Sequence, residues 1–260
     1  MIRVGIGGWT YEPWRGTFYP EGLKHADELT YAASKLTSIE INGTFYRTQS
    51  AASFAKWRDE TPEGFVFAVK GHRAVVNKRV LAEAGEALDW FFKSGITELG
   101  PKLGPLLWQF APFKKFDPDD FGAFLALLPK TVDGLTLRHV VEVRSSSFLV
   151  PEFVALARKH NVAVVYAHSD DYPAIADVTA DFVYARLQKC EEAIATGYAP
   201  SDLDAWAARS KTWAGGGEVD DLPRFGAKPA AKKNRDVFIY MIAGAKVRAP
   251  AAAVALIERL

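Results

Sequence analysis

The sequence predicts a (β/α)₈ barrel, read as one domain over residues 1–260. Three observations carry that reading. Eight short apolar runs recur along the chain, and stretches with helical spacing lie between most of them. The runs are apolar on both alternating faces, as strands buried on both sides of a parallel sheet are. The length, 260 residues, also suits a closed barrel, which runs to about 250 residues as one domain. A doubly wound sheet is the rival arrangement. Its dinucleotide loop is missing, because Gly5, Gly7 and Gly8 are followed by Trp9 and Thr10 rather than by G-x-x-G.

The strands are predicted at 2–6, 38–41, 65–69, 105–110, 139–143, 162–167, 182–187 and 237–242. Helices are predicted at 26–36, 51–60, 79–92, 118–128, 151–160 and 201–213, with a closing helix at 249–260. Pro118, Pro151 and Pro250 stand where a proline opens a first turn, and Asp117 and Ser201 are placed to cap. The stretch 169–181 is too short and polar for a full crossover helix and reads as a turn or a single helical turn. Residues 215–217 and 230–235 mark a long linker before the eighth strand.

Composition excludes several classes. There are 32 basic and 31 acidic residues, a net charge of +1, so gross electrostatics point to no nucleic-acid or membrane partner. A single cysteine, Cys190, rules out a disulfide framework and a Cys-rich metal centre. No apolar run reaches the roughly 18 residues of a membrane span, and the start lacks a signal-peptide stretch. A cytoplasmic protein is expected, of undefined oligomeric state. The aromatic share is 13%, with seven Trp.

In a barrel the functional side chains gather at the carboxyl ends of the strands. Those positions hold Lys70, Arg144 and Arg186 with the carboxylates Glu40 and Glu142, charges that are costly inside apolar strands unless paired or functional. Glu142 and Arg144, like Glu40 and Asn42, lie two apart and so share a face. Glu40 and Glu142 are the candidate acid and base. Lys70, Arg144 and Arg186 are the candidate binders of a phosphate, sulfate or carboxylate, and Gln109, Asn42, Tyr46 and Trp9 the remaining substrate contacts. A purely structural ion network is the competing explanation of the same residues.

Several motifs resemble the YecE-like domain-of-unknown-function family, family number 72. They are Gly8-Trp9 with Trp14-x-Gly16-x-Phe18-Tyr19-Pro20, Glu40-x-Asn42-x-Thr44-Phe45-Tyr46, Thr61-Pro62-x-Gly64-Phe65-x-Phe67-x-Val69-Lys70, Leu107-x-Gln109-Phe110 and Glu142-x-Arg144. The resemblance covers essentially the whole chain and implies a TIM barrel with a polar pocket at its top face, without naming a reaction. The chain departs from the family's pattern at Ser145, where many members have His, at Gln188-Lys189, where many have His-Gly, and at Ile242-Ala243-Gly244, which replaces an Asn-rich strand end. These departures imply a variant subgroup whose activity is changed or lost.

Two further readings are weaker. A divalent metal would have to draw on His72, His168, Asp170, Glu40 and Glu142, which show no metal-ligand spacing, so no cofactor is expected. The stretch 224–235 has five basic residues and no acid, a nucleic-acid patch or, more simply, a solvated linker. The expectation is a hydrolase or isomerase of a small anionic or sugar-containing, nucleotide-derived or phosphorylated ligand. A non-catalytic nucleic-acid- or protein-binding barrel, or a degenerate one, is the alternative.

Overall fold

The computed structural model describes residues 1–260. Its parallel strands are β1 (Ile2–Gly7), β2 (Ser38–Ile41), β3 (Val66–Lys70), β4 (Leu103–Gln109), β5 (His139–Glu142), β6 (Ala163–His168), β7 (Phe182–Leu187) and β8 (Asp236–Met241). Each pairs with the next in chain order, and β8 closes on β1 from Ile2↔Val237 to Ile6↔Met241. The predicted (β/α)₈ barrel is therefore the observed fold.

Around it lie α1 (Glu28–Lys35), α2 (Ala51–Asp59), α3 (Arg73–Val76), α4 (Gly85–Phe92), α5 (Pro118–Leu127), α6 (Pro151–Lys159), α7 (Pro200–Ala214) and α8 (Ala249–Ile257). Asp117 caps α5, its carboxylate accepting from the Asp119 and Asp120 amides at 3.0 and 3.1 Å. Such a cap is worth about 1 kcal/mol. No helix is long and apolar enough to cross a membrane.

Two local expectations are corrected, and two short elements are added. The helix predicted at 79–92 is split into a 3₁₀ turn, Leu81–Glu83, whose Ala82 amide is taken by the Asp120 carboxylate at 3.0 Å, and α4, with the poor helix former Gly85 at the junction. Ser201 is not a cap: Pro200, with its fixed φ, opens α7 one residue earlier. The short α3 was not foreseen. Nor was the hairpin of Thr131–Val132 with Leu135–Thr136, turned by Asp133-Gly134 with φ of 48° and 79°. The β6–β7 crossover, in contrast, carries no helix. The Thr179 hydroxyl anchors it, donating to Val162 O and accepting from the Val164 amide.

Two cores result. The larger lies between barrel and helices and contains the fully buried Trp14, Trp108, Trp206 and Trp213. The smaller fills the barrel. Phe182, Tyr184, Phe238 and Tyr240 from β7 and β8 face Ala68, Ala163 and Ala167, large side chains against small. Gly5 contributes no side chain on this inner face; a Cβ there would sit 1.9 Å from the Ser38 carbonyl oxygen.

Candidate functional site

The alternation that points Tyr184 and Tyr240 inward also turns Glu40, Lys70, Gln109, Glu142 and Arg186 into the upper end of the barrel. They form a continuous polar layer above the aromatic one. Arg186 is its centre and is 3% exposed. Its Nε and Nη2 donate to the two oxygens of Glu40 at 3.2 and 3.1 Å, and its Nη1 donates to Glu142 Oε2. The Tyr184 hydroxyl donates to Glu40 Oε2 at 2.6 Å. Glu142 Oε2 accepts from Gln109 Nε2 at 2.6 Å, and its Oε1 from Arg144 Nε and Nη2 at 3.2 and 3.1 Å. Gln109 Oε1 accepts from Lys70 Nζ at 2.7 Å. An ammonium only donates and a carboxylate only accepts, so the Gln109 amide relays between them in one orientation.

Burial sets the electrostatics. It pushes the Glu142 pKa up, but Arg186, Arg144 and the Gln109 hydrogen bond outweigh it and hold the group below the usual carboxylate range. For Arg186, burial works against the charge while Glu142 and Glu40 raise its pKa above the ordinary value. Burial and the neighbouring Glu40 carboxylate push the Tyr184 phenol well up, so it stays a donor. Lys70 is the exception. Burial, with the like charge of Arg186, lowers its pKa to about 8 against the pull of Glu40 and Glu142. Both carboxylates are taken by arginines, so Lys70 has no carboxylate partner; its amine stands 4.3 Å over the Phe45 ring.

The expected residues thus separate by position. Lys70, Gln109, Glu142, Arg144 and Arg186 form one network, with Arg144 at its rim, where the side chain is 19% exposed and lies 4.1 Å from the Tyr172 ring. Glu40, expected as acid or base, has no exposed surface, and its two oxygens take three donors. Its position suits holding Arg186. Asn42 lies beside it, Nδ2 donating to Glu40 O at 3.3 Å, close enough to Gly7 that a Cβ there would come within 3.0 Å. Trp9 is not brought in. The positive φ of Gly8 (70°) turns the chain, and the indole packs outside the barrel on Trp57 at 5.1 Å and Phe67 at 6.4 Å. Tyr46 is 68% exposed, edge-on to Phe45 and beneath the Arg73 guanidinium. Tyr184, Phe45 and Tyr172 join the site beyond the expected set. For Tyr184 the signal was available, since it lies two residues before Arg186 on the same strand face.

The metal candidates do not converge. The His72 Nδ1 accepts from the Ala74 amide and its ring meets Trp90, whereas His168 packs on Trp206 and Asp170 pairs with Lys189. No three His, Cys, Asp or Glu side chains are placed to hold an ion. Burial pushes the Cys190 thiol up to about 12. In the basic stretch, Arg224 pairs with Glu218 and Asp220 and Arg235 is buried, which leaves Lys228, Lys232 and Lys233 exposed.

At the first family departure, Ser145 is buried and caps the turn Ser146–Phe148, its hydroxyl accepting from the Ser147 amide and meeting Lys115 Nζ at 3.3 Å. At the second, Gln188 lies two residues beyond Arg186, and its side-chain Nε2 is buried without a partner.

Comparisons agree with this architecture. The family described as "Protein of unknown function DUF72" matches residues 3–260. UPF0759 protein YunF of Bacillus subtilis (strain 168) is 29% identical over 118 residues, which span 44% of this chain and 41% of that relative. The crystal structure of a DUF72 family protein from Thermotoga maritima MSB8 superposes with a TM-score of 0.73 at 21% identity, covering 98% of this chain and 96% of that one. One from Enterococcus faecalis V583 gives 0.71 at 15% identity, covering 100% and 94%. Whole-length agreement with the family, over a barrel whose upper end carries the family-like motifs, has one meaning: this chain belongs to the DUF72 family.

Proposed function

We propose that the upper end of the barrel binds a small anionic substrate, phosphorylated or sugar-containing, and acts on it as a hydrolase or isomerase by proton transfer. One observation carries the reading: three cations, Lys70, Arg144 and Arg186, meet two carboxylates, Glu40 and Glu142, and Lys70 is left without a carboxylate partner. The unpartnered side-chain Nε2 of Gln188 adds another donor at the same end. A surplus of donors and of positive charge favours an acceptor-rich anion.

The roles follow from burial. Arg186 and Glu40 are the platform and do not reach substrate. Arg144, at the rim, holds the anionic group with Lys70. Glu142 is held ionised and orients Arg144 and Gln109. Lys70, with its pKa near 8, exchanges a proton at neutral pH and is the acid or base of the reaction.

The test is turnover of a panel of sugar phosphates followed by phosphorus and proton NMR. Lys70→Met is expected to lower turnover by at least about 100-fold, the scale of general acid–base catalysis, with the circular dichroism spectrum unchanged. A folded Lys70→Met protein with wild-type turnover defeats the assignment. The saturation of Glu40, Glu142 and Arg186 by one another favours a second reading, a non-catalytic barrel with a structural ion network. Wild-type protein inactive on the panel and indifferent to phosphate at this end would support it.

A further inference from the structure

The opposite end of the barrel holds a cavity of about 310 Å³, within the size range of small-molecule sites. Arg3 of β1, Arg138 just before β5 and Asp236 of β8 supply its charge, and Phe238, Val66 and Leu103 its apolar wall. Arg3 spends one N–H on Gly64 O at 2.6 Å, and Arg138 spends one on Asp236 Oδ2 at 2.7 Å. Asp236 also meets the amino group of Met1 at 3.1 Å, so it is shared and cannot neutralise both arginines. The Arg138 guanidinium lies 5.9 and 6.0 Å from the Phe182 and Phe238 rings, which hold it over the barrel floor.

We infer that this cavity is a second binding site, for an oxyanion carried on a small apolar body, with Arg3 and Arg138 gripping the oxyanion and Phe238, Val66 and Leu103 covering the body. Two like charges gathered in a partly enclosed cavity with one shared carboxylate are unfavourable on their own, and an anion between them relieves the repulsion. Burial lowers the Arg3 pKa from the ordinary value and Arg138 pushes the same way, against the pull of Asp236. Each guanidinium keeps donors in reserve, in the fork geometry that matches phosphate and carboxylate. The volume exceeds what inorganic phosphate fills, and Val66, Leu103, Leu135 and Phe238 give the wall beyond the charged groups an apolar share beside Thr136. The site is independent of the chemistry proposed for the upper end.

Calorimetric titration of the full-length protein with inorganic phosphate and with phenyl phosphate tests it, each on wild type, Arg3→Gln, Arg138→Gln and the upper-end control Arg144→Gln. Phenyl phosphate is expected to bind more tightly than phosphate. Arg138→Gln, at an exposed and fold-tolerant position, is expected to weaken phenyl phosphate at this site by about tenfold, or about 1.4 kcal/mol. Arg3→Gln should do at least as much, and Arg144→Gln should leave this site unchanged. Binding that survives both Arg3→Gln and Arg138→Gln, or that disappears in Arg144→Gln alone, places the anion at the upper end and overturns the inference. Absence of saturable binding in wild type and Arg144→Gln overturns it as well. Equal affinity for the two probes refutes the apolar part.

Discussion

The two ends of this barrel use the same residue types to opposite effect. At the upper end Glu40, Glu142 and Arg186 are at most 3% exposed, and every carboxylate oxygen takes at least one donor, three of the four taking two. At the lower end the side chains of Arg138 and Asp236 are 42% and 31% exposed, and both arginines keep donors unspent. Strand alternation delivers charge to both ends alike. What differs is water. Where it is excluded, an unpaired charge costs several kcal/mol, so the two carboxylates and Arg186 are paired, and Lys70, which has no carboxylate partner, gives up part of its proton affinity instead. Where it enters, solvation substitutes for a partner and leaves groups free to bind something else.

The comparison can be broken most sharply by cutting one pair at each end. Glu40→Ala leaves Arg186 buried and short of half its partners, and is expected to cost about 3–5 kcal/mol, a fall of roughly 10 °C in melting temperature for a chain of this size. Asp236→Ala at the other end is the control described below; similar losses for the two would void the contrast.

The next test is pH. The Lys70 pKa is lower in the folded state, about 8 against 10.5 in the unfolded chain. Between those values the unfolded chain binds the extra proton, so this group makes stability rise with pH across that window and contributes a constant penalty below it. Denaturant melts from pH 7 to 10.5 should show wild type gaining on Lys70→Met through the window. A parallel pH dependence for the two proteins would mean that Lys70 is not desolvated.

Arg144→Gln should be milder, about 1–2 kcal/mol for charge-assisted bonds at a part-open rim, since Glu142 keeps Arg186 and Gln109; thermal melts decide. The smallest effect is expected from Asp236→Ala, under about 1 kcal/mol and shrinking further as salt screens the exposed pair. A loss that is large and indifferent to salt would show the lower end to be as tightly built as the upper.

Much of this was legible beforehand, for physical reasons that can be named. The eight strands announced themselves because burial on both faces demands apolar runs, and the charges within those runs marked the upper network. Trp9 was misleading. Alternation counted from Gly5 and Gly7 would keep it inside, but the left-handed Gly8 breaks the count and sends the indole to α2. Glu40 was recognisable as buried and charged, yet sequence spacing carries no information about how many donors surround a carboxylate. The lower cavity lies outside the expected site because a barrel's amino-terminal end ordinarily serves as scaffold. The same period-two count that places Gly5 inside places Arg3 inside, so that signal was present.

Arg186 has one more consequence, for how the chain folds. Its two carboxylates come from β2 and β5, 146 and 44 residues away, and neither strand is a neighbour of β7. A half-assembled sheet of β1 to β4 would hold Glu40 with no guanidinium to meet it, and the other half would hold Arg186 with only Glu142. Neither fragment can dehydrate its interior at low cost until the wall is complete. Closure of the ring and drying of its centre are therefore coupled events, which penalises long-lived half-barrels and ties the first strands made to some of the last.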